Sequence, residues 1–505
     1  MSFTTRRIRE EAPRRAIKWQ PILLAVLTFG RPVFGWYTAW KKRQDDQKRV
    51  ALLQRIMLIL LAVFFIFLLF AGIAKALIAL RVVSVPGVLG VAGADLPTDE
   101  DGLTNFLLLG QGDETHDGKD LTDTIMIMSI DATRTKSAVL LSLPRDLYLL
   151  HTENMGAGRV NSLYRDYKSY LKFEKDMEEK EASLEAMREL AKELSLALDL
   201  PLHHVVKVDF IGFVEAVDAI GGVDLEVPYD IVDTEYPGPN YTYETFEIRT
   251  GLQHLDGETA LKYARSRHTS SDFDRSARQQ QILSVLGEKV KSEGVLRNPG
   301  RIMSLYKIVS AHLETTMSVR EMVGAAKLGA DIDRNRIISM QLSDRNGLYG
   351  TLAEPGGFLY TPPRDLFEGA SVLLPISIPE YPVTWKQIHT LSDLLFRNRA
   401  IHISKPRINV LNAGAKSGLA GKLGGELFRY GFSVDEIKNA GIEKIEETYI
   451  APASDAQKNA ATFFSELLDI PLGTLPTDLP SENIADITII VGQQYGFTPL
   501  QDLLK

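Results

Sequence analysis

The chain has 505 residues, enough for two or three domains that each bury a sizeable core. With 45% hydrophobic and 24% charged residues it is a folded protein, neither disordered nor collagen-like, and with no cysteine it has neither disulfides nor thiolate zinc sites. The net charge of −8 hides an asymmetry: the first fifty residues hold twelve Lys/Arg against four acids, so the remainder carries −16. A basic head on an acidic body is a sorting signal, not a nucleic-acid footprint.

Residues 1–55 read as a basic cytoplasmic tail. The apolar run from Pro21 to Trp40 is broken by Arg31 and Pro32, so it suits the membrane interface better than a span, with Trp36, Tyr37 and Trp40 as interfacial aromatics. Ile56 to Ala74 is nineteen residues without a charge, and apolar character resumes up to Leu80. A helix needs about 20 such residues to cross the hydrocarbon, so 56–80 is expected to be a single transmembrane helix. Arg55 and the basic tail precede it and Asp95, Asp99, Glu100 and Asp101 follow. That order puts the N-terminus in the cytoplasm and the rest outside the membrane. Residues 81–101, rich in Gly, Pro and acids, read as a linker.

The first soluble domain opens with the buried-strand pattern NFLLLG (Asn105–Gly110), followed by an acidic loop with Asp113, Asp120 and Asp123. Two more apolar runs, Thr124–Ile130 and Ser137–Leu143, lack alternation, as central strands covered on both faces do. The second ends in Pro144–Arg145–Asp146, placing an arginine at a strand end, where open α/β sheets keep ligands. Asn161 to Leu200 has alternating charges and is expected to be a solvated helical insertion. His203–Pro228 reads as strand, helix, a Gly221–Gly222 turn and strand. His203 and His204 have no third ligand spaced to form a metal site with them. Tyr229–Glu247, rich in Tyr and Pro, reads as a loop.

The next stretch, YARSRHTSSDFDRSARQQQI (Tyr263–Ile282), is the most informative one. Arg265 and Arg267 are two apart, so an extended segment would put them on one face. Arg275, Arg278 and Gln279 share a face if helical, and Asp272 or Asp274 can cap that helix. Four guanidiniums gathered by a strand, a turn and a helix start would repel one another unless something anionic sat among them, and Arg forks match phosphate oxygens. Helices and mixed segments are expected to about Pro382, then a helix from near Trp385 to a linker at Ser404–Pro406. A second soluble domain starts at Arg407 as strand, Gly-rich turn and helix. Its glycines fit neither GxxxxGK[ST] nor GxGxxG, so they serve tight turning and not a nucleotide. It closes with the buried strand Asp486–Gly492.

Carboxylates (Asp113, Asp123) and arginines (Arg145, Arg265, Arg267, Arg275, Arg278) thus recur at segment ends. One or two carboxylates with phosphate oxygens and water suffice for Mg²⁺, and arginines neutralise charge on leaving oxygens. Together they point to phosphoryl or phospho-sugar transfer from a diphosphate outside the cell. No GxSxG, HExxH or Cys nucleophile competes.

The series NFLLLG, LTDTIMIM, SLPRD, RVNSLY, VDFIGFVEAVDAIGGV, YARSR and DFDRSARQQ resembles the LytR–CpsA–Psr family over roughly residues 102–290. Residues 407–493 are similar to the small C-terminal domain often appended to it. The resemblance implies an α/β fold: a catalytic domain with a central mixed β-sheet flanked by helices over 102–383 (core 102–290), a helix and linker over 384–406, an α/β domain over 407–493 and a tail over 494–505. It implies a membrane-anchored phosphotransferase that moves a glycopolymer from a polyprenyl pyrophosphate carrier to peptidoglycan through a phosphodiester bond. Carried over by position, Asp113 and Asp123 would sit at Mg²⁺, and Arg145, Arg265, Arg267, Arg275, Arg278 and Gln279 would bind the pyrophosphate. The catalytic group would be Asp123, Arg145, Asp272 and Arg275, with Asp272 orienting arginines or acting as base. Two features depart from the family: Lys119, Asp120 and Leu121 stand where many members have an arginine before the TDT aspartate, and QGDE replaces a direct Gly-x-Asp. An apolar cavity for the lipid is expected beneath Phe210, Phe213 and Val214, or those residues are core. The rival functions are a non-catalytic anchor that grips anionic wall polymer, and a pyrophosphatase acting on the carrier.

Overall fold

A computed structural model describes residues 94–112, 120–238, 242–266, 272–294, 305–330, 332–343, 357–376 and 383–504. The expected tail, transmembrane helix and most of the linker lie outside these residues, as do Asp113 and Arg267. No helix among the described residues is long and apolar enough to cross a membrane.

The first domain begins with β1 (Thr104–Gln111), β2 (Thr122–Asp131), β3 (Ser137–Leu143) and a short ribbon of β4 (Tyr148–Leu149) and β5 (Gly158–Arg159). Helices α1 (Val160–Phe173) and α2 (Glu179–Leu198) lead to β6 (His204–Asp209) and α3 (Phe210–Ala219). Then come β7 (Val223–Val227), β8 (Ile231–Pro237), β9 (Tyr243–Ile248) and β10 (Gly251–Leu255), followed by α4 (Gly257–Arg265) and α5 (Asp272–Ser292). The domain ends with β11 (Leu313–Thr315), α6 (Val319–Ala330), β12 (Ile337–Gln341) and a ribbon of β13 (Leu359–Tyr360) and β14 (Leu374–Pro375).

Six strands form one mixed sheet in the order β11-β6-β1-β2-β3-β12. β1 is antiparallel to β2 and parallel to β6, and β3 is antiparallel to β2 and parallel to β12. Side chains alternate across it: Leu107, Leu109, Ile125, Ile127, Val139 and Leu141 join α1 and α2 in one core, whereas Phe106, Ile130 and Ala138 pack with residues of α6 on the other face. Cover on both faces explains the unbroken apolar runs; all seven residues of β3 are buried.

Several expectations change. The segment expected to be a solvated insertion instead supplies part of the core: Ala182, Ala186, Met187, Leu190, Leu194 and Leu198 of α2 are buried at helical spacing, and the alternating charges occupy the outer face except for Glu189 and Glu193, which are buried. The expected loop at Tyr229–Glu247 is a β8–β9 hairpin, because Ile231, Asp233, Phe246 and Ile248 point inward at a period of two. The segment ending at Arg265 is helical, not extended. Asp256 caps it by accepting the Thr259 N–H at 2.8 Å, and Ala260, Tyr263 and Ala264 supply its buried stripe.

The connecting segment holds α7 (Lys386–Ser392), a π-helical turn (Asp393–Arg397) and α8 (Arg399–Ser404), which ends at Lys405 with a φ of +45°. The second domain consists of β15 (Ile408–Asn412), α9 (Leu419–Arg429), β16 (Val434–Asn439), β17 (Tyr449–Pro452), α10 (Lys458–Leu468), β18 (Ile487–Val491) and α11 (Leu500–Leu503). Its sheet runs β16-β15-β18-β17, with β15 parallel to both neighbours. The expected tail includes α11, whose Leu500 is fully buried. One apolar core runs from the first sheet through α7 into this domain.

Candidate active site

The site forms along the sheet edge where β1, β3, β6 and β12 end and β2 begins. Gly110, Thr124, Ser142, Phe210 and Gln341 mark those five ends, and α5 crosses above them. Gln280 of α5 fixes that crossing, donating to Ser142 Oγ at 2.8 Å and to the Met340 carbonyl at 2.9 Å. Arg275 and Gln279 lie on the same helix, and Arg275 is only 9% exposed.

Two adjoining cavities result, of about 240 and 350 Å³, and they share Asp123, Thr124, Arg145, Arg275 and Gln279. Arg145 follows β3 and donates from Nη1 to Asp123 Oδ1 at 3.2 Å. Its Nε lies 3.8 Å from Asp146, which also faces Arg159 at 3.5 Å. Asn161 closes this loop: its backbone N–H donates to the Arg145 carbonyl at 3.2 Å, and its side chain makes a long 3.5 Å bond to Asp123 Oδ1. The larger cavity adds Arg265, the last residue of α4. Its guanidinium carbon lies 4.1 Å from the Phe210 ring centre and 5.4 Å from that of Tyr236, so aromatic faces hold the fork in place. Burial pushes the Tyr236 hydroxyl above its usual pKa, so it stays neutral beside the arginine.

The structure thus brings together Asp123, Arg145, Arg265, Arg275 and Gln279. Arg278 turns away from both cavities: it is 3% exposed, donating from Nε to the Tyr263 carbonyl at 2.8 Å and from Nη2 to the Ser266 carbonyl. It ties α5 to the end of α4. Asp272 opens α5, and Asp113 and Arg267 lie outside the described residues. Phe210 lines the larger cavity, whereas Phe213 packs in the small core beneath the β7–β10 strands. Three acids, Asp123, Asp233 and Glu235, stand in the larger cavity with the three arginines, so the protein supplies some of the counter-charge that the arginine cluster needs.

Asn161, Asp233, Glu235 and the Phe210–Arg265 stack were not singled out as site features from the sequence. Asp233 and Glu235 sit where β8 departs from regular pairing, Asp233 buried and Glu235 exposed, so a period of two would have pointed to Asp233 alone had 229–247 been read as a hairpin. His203 accepts the Asn105 N–H at 3.0 Å, and among the described residues no group of three His, Cys, Asp or Glu gathers as a metal site.

Fold and site together define a mixed α/β protein with an arginine–carboxylate cavity at the carboxyl ends of its parallel strands. The LytR_cpsA_psr family model matches residues 89–354, and the model described as LytR cell envelope-related transcriptional attenuator matches 405–495. The chain belongs to the LytR–CpsA–Psr family. It is 26% identical over 431 residues to the cell wall biosynthesis protein LcpA of Corynebacterium glutamicum, spanning 79% of this chain and 75% of that one. It is 25% identical over 242 residues to the polyisoprenyl-teichoic acid–peptidoglycan teichoic acid transferase TagV of Bacillus subtilis, spanning 47% of this chain and 56% of that protein. The crystal structure of that TagV aligns with 58% of this chain and 96% of its own, at 22% identity and a TM-score of 0.41.

Proposed function

We propose that the chain is a membrane-anchored transferase that takes a glycopolymer from a polyprenyl diphosphate and joins it to peptidoglycan through a phosphodiester. The observation that carries this reading is the convergence of Arg145, Arg265 and Arg275 with Asp123 and Gln279 around two adjoining cavities. Guanidinium forks pair with phosphate oxygens, and a diphosphate offers enough of them for several forks at once. TagV, a polyisoprenyl-teichoic acid–peptidoglycan teichoic acid transferase, supplies the substrate class. The apolar run at 56–80 between a basic head and an acidic body supports a single span with both soluble domains outside.

In this reading an acceptor hydroxyl attacks the sugar-bound phosphorus, the bond to the bridging oxygen breaks, and polyprenyl phosphate leaves. Arg145 and Arg275, on the wall shared by the cavities, would stabilise charge on the transferred phosphoryl group. Arg265, held by Phe210, would take the leaving phosphate, and Gln279 would orient the diphosphate. Asp272 is the candidate to receive the acceptor's proton. A Mg²⁺ ion, when bound, would neutralise phosphate oxygens; Asp123 would hold it, with Asp113 as its expected second ligand, a sparse oxygen donor set that suits this ion.

The test is in vitro transfer by the full chain in lipid vesicles. Arg275→Ala should lower transfer by about 100-fold or more while the unfolding transition stays put. Full transfer by this variant would sink the assigned role. Chelation should stop transfer, and transfer that persists would remove the metal from the mechanism. Phosphate release without attachment would favour the pyrophosphatase, and salt-sensitive polymer binding without product the anchor.

A further inference from the structure

The two cavities differ in chemistry where they part. Beyond their shared wall, the larger one adds Arg265, Phe210 and Tyr243 with the acids Asp233 and Glu235, whereas the smaller one adds Asp146, no third arginine, and the neutral polar groups of Ser142, Gln341, Thr361 and Ser371. Hydroxyls and a carboxamide suit the hydroxyl and amide groups of a sugar and are poor partners for a second anion. At about 240 Å³ the smaller cavity falls below the range of drug-sized ligand sites and holds about one ring. Thr361 and Ser371 are exposed, so a polymer can remain outside while one ring enters.

From these differences we infer that the smaller cavity is the acceptor subsite, binding one N-acetylated sugar of the glycan strand that receives the phosphate. This rests on the function proposed above. Attacking and leaving oxygens must lie roughly in line through the transferred phosphorus. Two cavities meeting at Arg145, Arg275 and Asp123 provide that arrangement, the donor diphosphate in the larger and the acceptor hydroxyl in the smaller. The acceptor wall is anchored to the site: the Leu373 N–H donates to the Asp146 carbonyl at 2.9 Å, and the Tyr148 N–H to the Leu373 carbonyl at 2.8 Å. Thr361 and Ser371 lie beyond residue 354, where the family match ends.

The test measures binding of the N-acetylglucosaminyl–N-acetylmuramic acid disaccharide to the full chain in detergent, with geranylgeranyl diphosphate measured separately. Ser371→Phe fills the mouth of the cavity, and Thr361→Val with Ser371→Ala removes its hydroxyls without filling it. Both variants should weaken the disaccharide by about tenfold and leave geranylgeranyl diphosphate within about twofold. Unchanged disaccharide affinity, equal loss of both ligands, or no disaccharide binding by the wild-type chain overturns the subsite. The donor assignment fails separately: if Arg265→Ala leaves geranylgeranyl diphosphate binding unchanged, the diphosphate does not lie where the function requires it.

Discussion

Of the five site arginines expected from the sequence, Arg267 lies outside the described residues and the other four divide into groups with different work. Arg145 and Arg275 are shared by both cavities, Arg265 is held by Phe210, and Arg278 donates to the backbone carbonyls of Tyr263 and Ser266. Arg278→Ala would strand those carbonyls in a buried place, so it should destabilise the fold by about 2–3 kcal/mol in urea unfolding. Transfer should fall only as far as the end of α4 shifts; a dead enzyme of wild-type stability would show that Arg278 acts on substrate instead. Arg265→Lys keeps the charge but loses the planar fork that stacks on Phe210, so diphosphate affinity should drop by about tenfold. Wild-type affinity in a titration would reduce Arg265 to a point charge. The arginine at the end of β3 was legible because Pro144–Arg145–Asp146 follows an apolar run. The role of Asn161 was not, because 38 residues separate it from Asp123 and only the packing of α1 on the sheet joins them.

At the scale of elements, the site depends on how closely α3 and α4 cross. A Cβ on Gly257 would collide with the Val214 backbone, so only glycine permits the contact that sets Arg265 against Phe210. Gly257→Ala should push α4 outward, destabilise the protein by about 1–3 kcal/mol and weaken diphosphate binding more than glycan binding. Thermal unfolding and the two binding assays check this together, and a neutral Gly257→Ala would remove the crossing as a determinant. Helix and strand were readable where the apolar period was unambiguous, as in β1, β2 and β3. They were misread where polar residues occupy one face only. Alternating charge on α2 suggested a solvated helix, yet charge on the outer face is compatible with a full core stripe on the inner one. The β8–β9 hairpin was hidden by its Tyr and Pro content, and its inward Asp233 did not look like a core position.

For the whole molecule, the second domain is not a loosely tethered module. Arg399 is 1% exposed and donates to Ser129 Oγ at 2.6 Å and to the carbonyls of Ser129 and Phe396, so the connecting helix is pinned to the first sheet. His402 stacks on Phe432 of the second domain with ring centres 5.0 Å apart, and burial lowers its pKa to about 4. A histidine whose folded pKa lies below its unfolded value stabilises the fold above about pH 6.5 and loses that contribution as pH falls toward 4. The shift corresponds to at most about 3 kcal/mol, so the fold should weaken across this window. His402→Phe should flatten the change, and an unaltered pH profile of unfolding would remove His402 as its cause. Deletion of 407–505 should leave a chain that aggregates, because it uncovers the continuous core around α7; a soluble, cooperatively unfolding remnant would contradict that.

The sequence by itself determined the α/β class, four of the six strands of the first sheet (β1, β2, β3 and β6) and the recurrence of arginines and carboxylates at segment ends. These follow from local period and residue chemistry, which are visible within ten or twenty residues. Only the tertiary structure decided which arginines face the site, that the protein's own carboxylates stand among them, and that one wall divides two cavities. Those depend on which ends of distant strands meet at one sheet edge and on how closely α3, α4 and α5 pack over it. Such contacts form between residues whose separation along the chain carries no period to read.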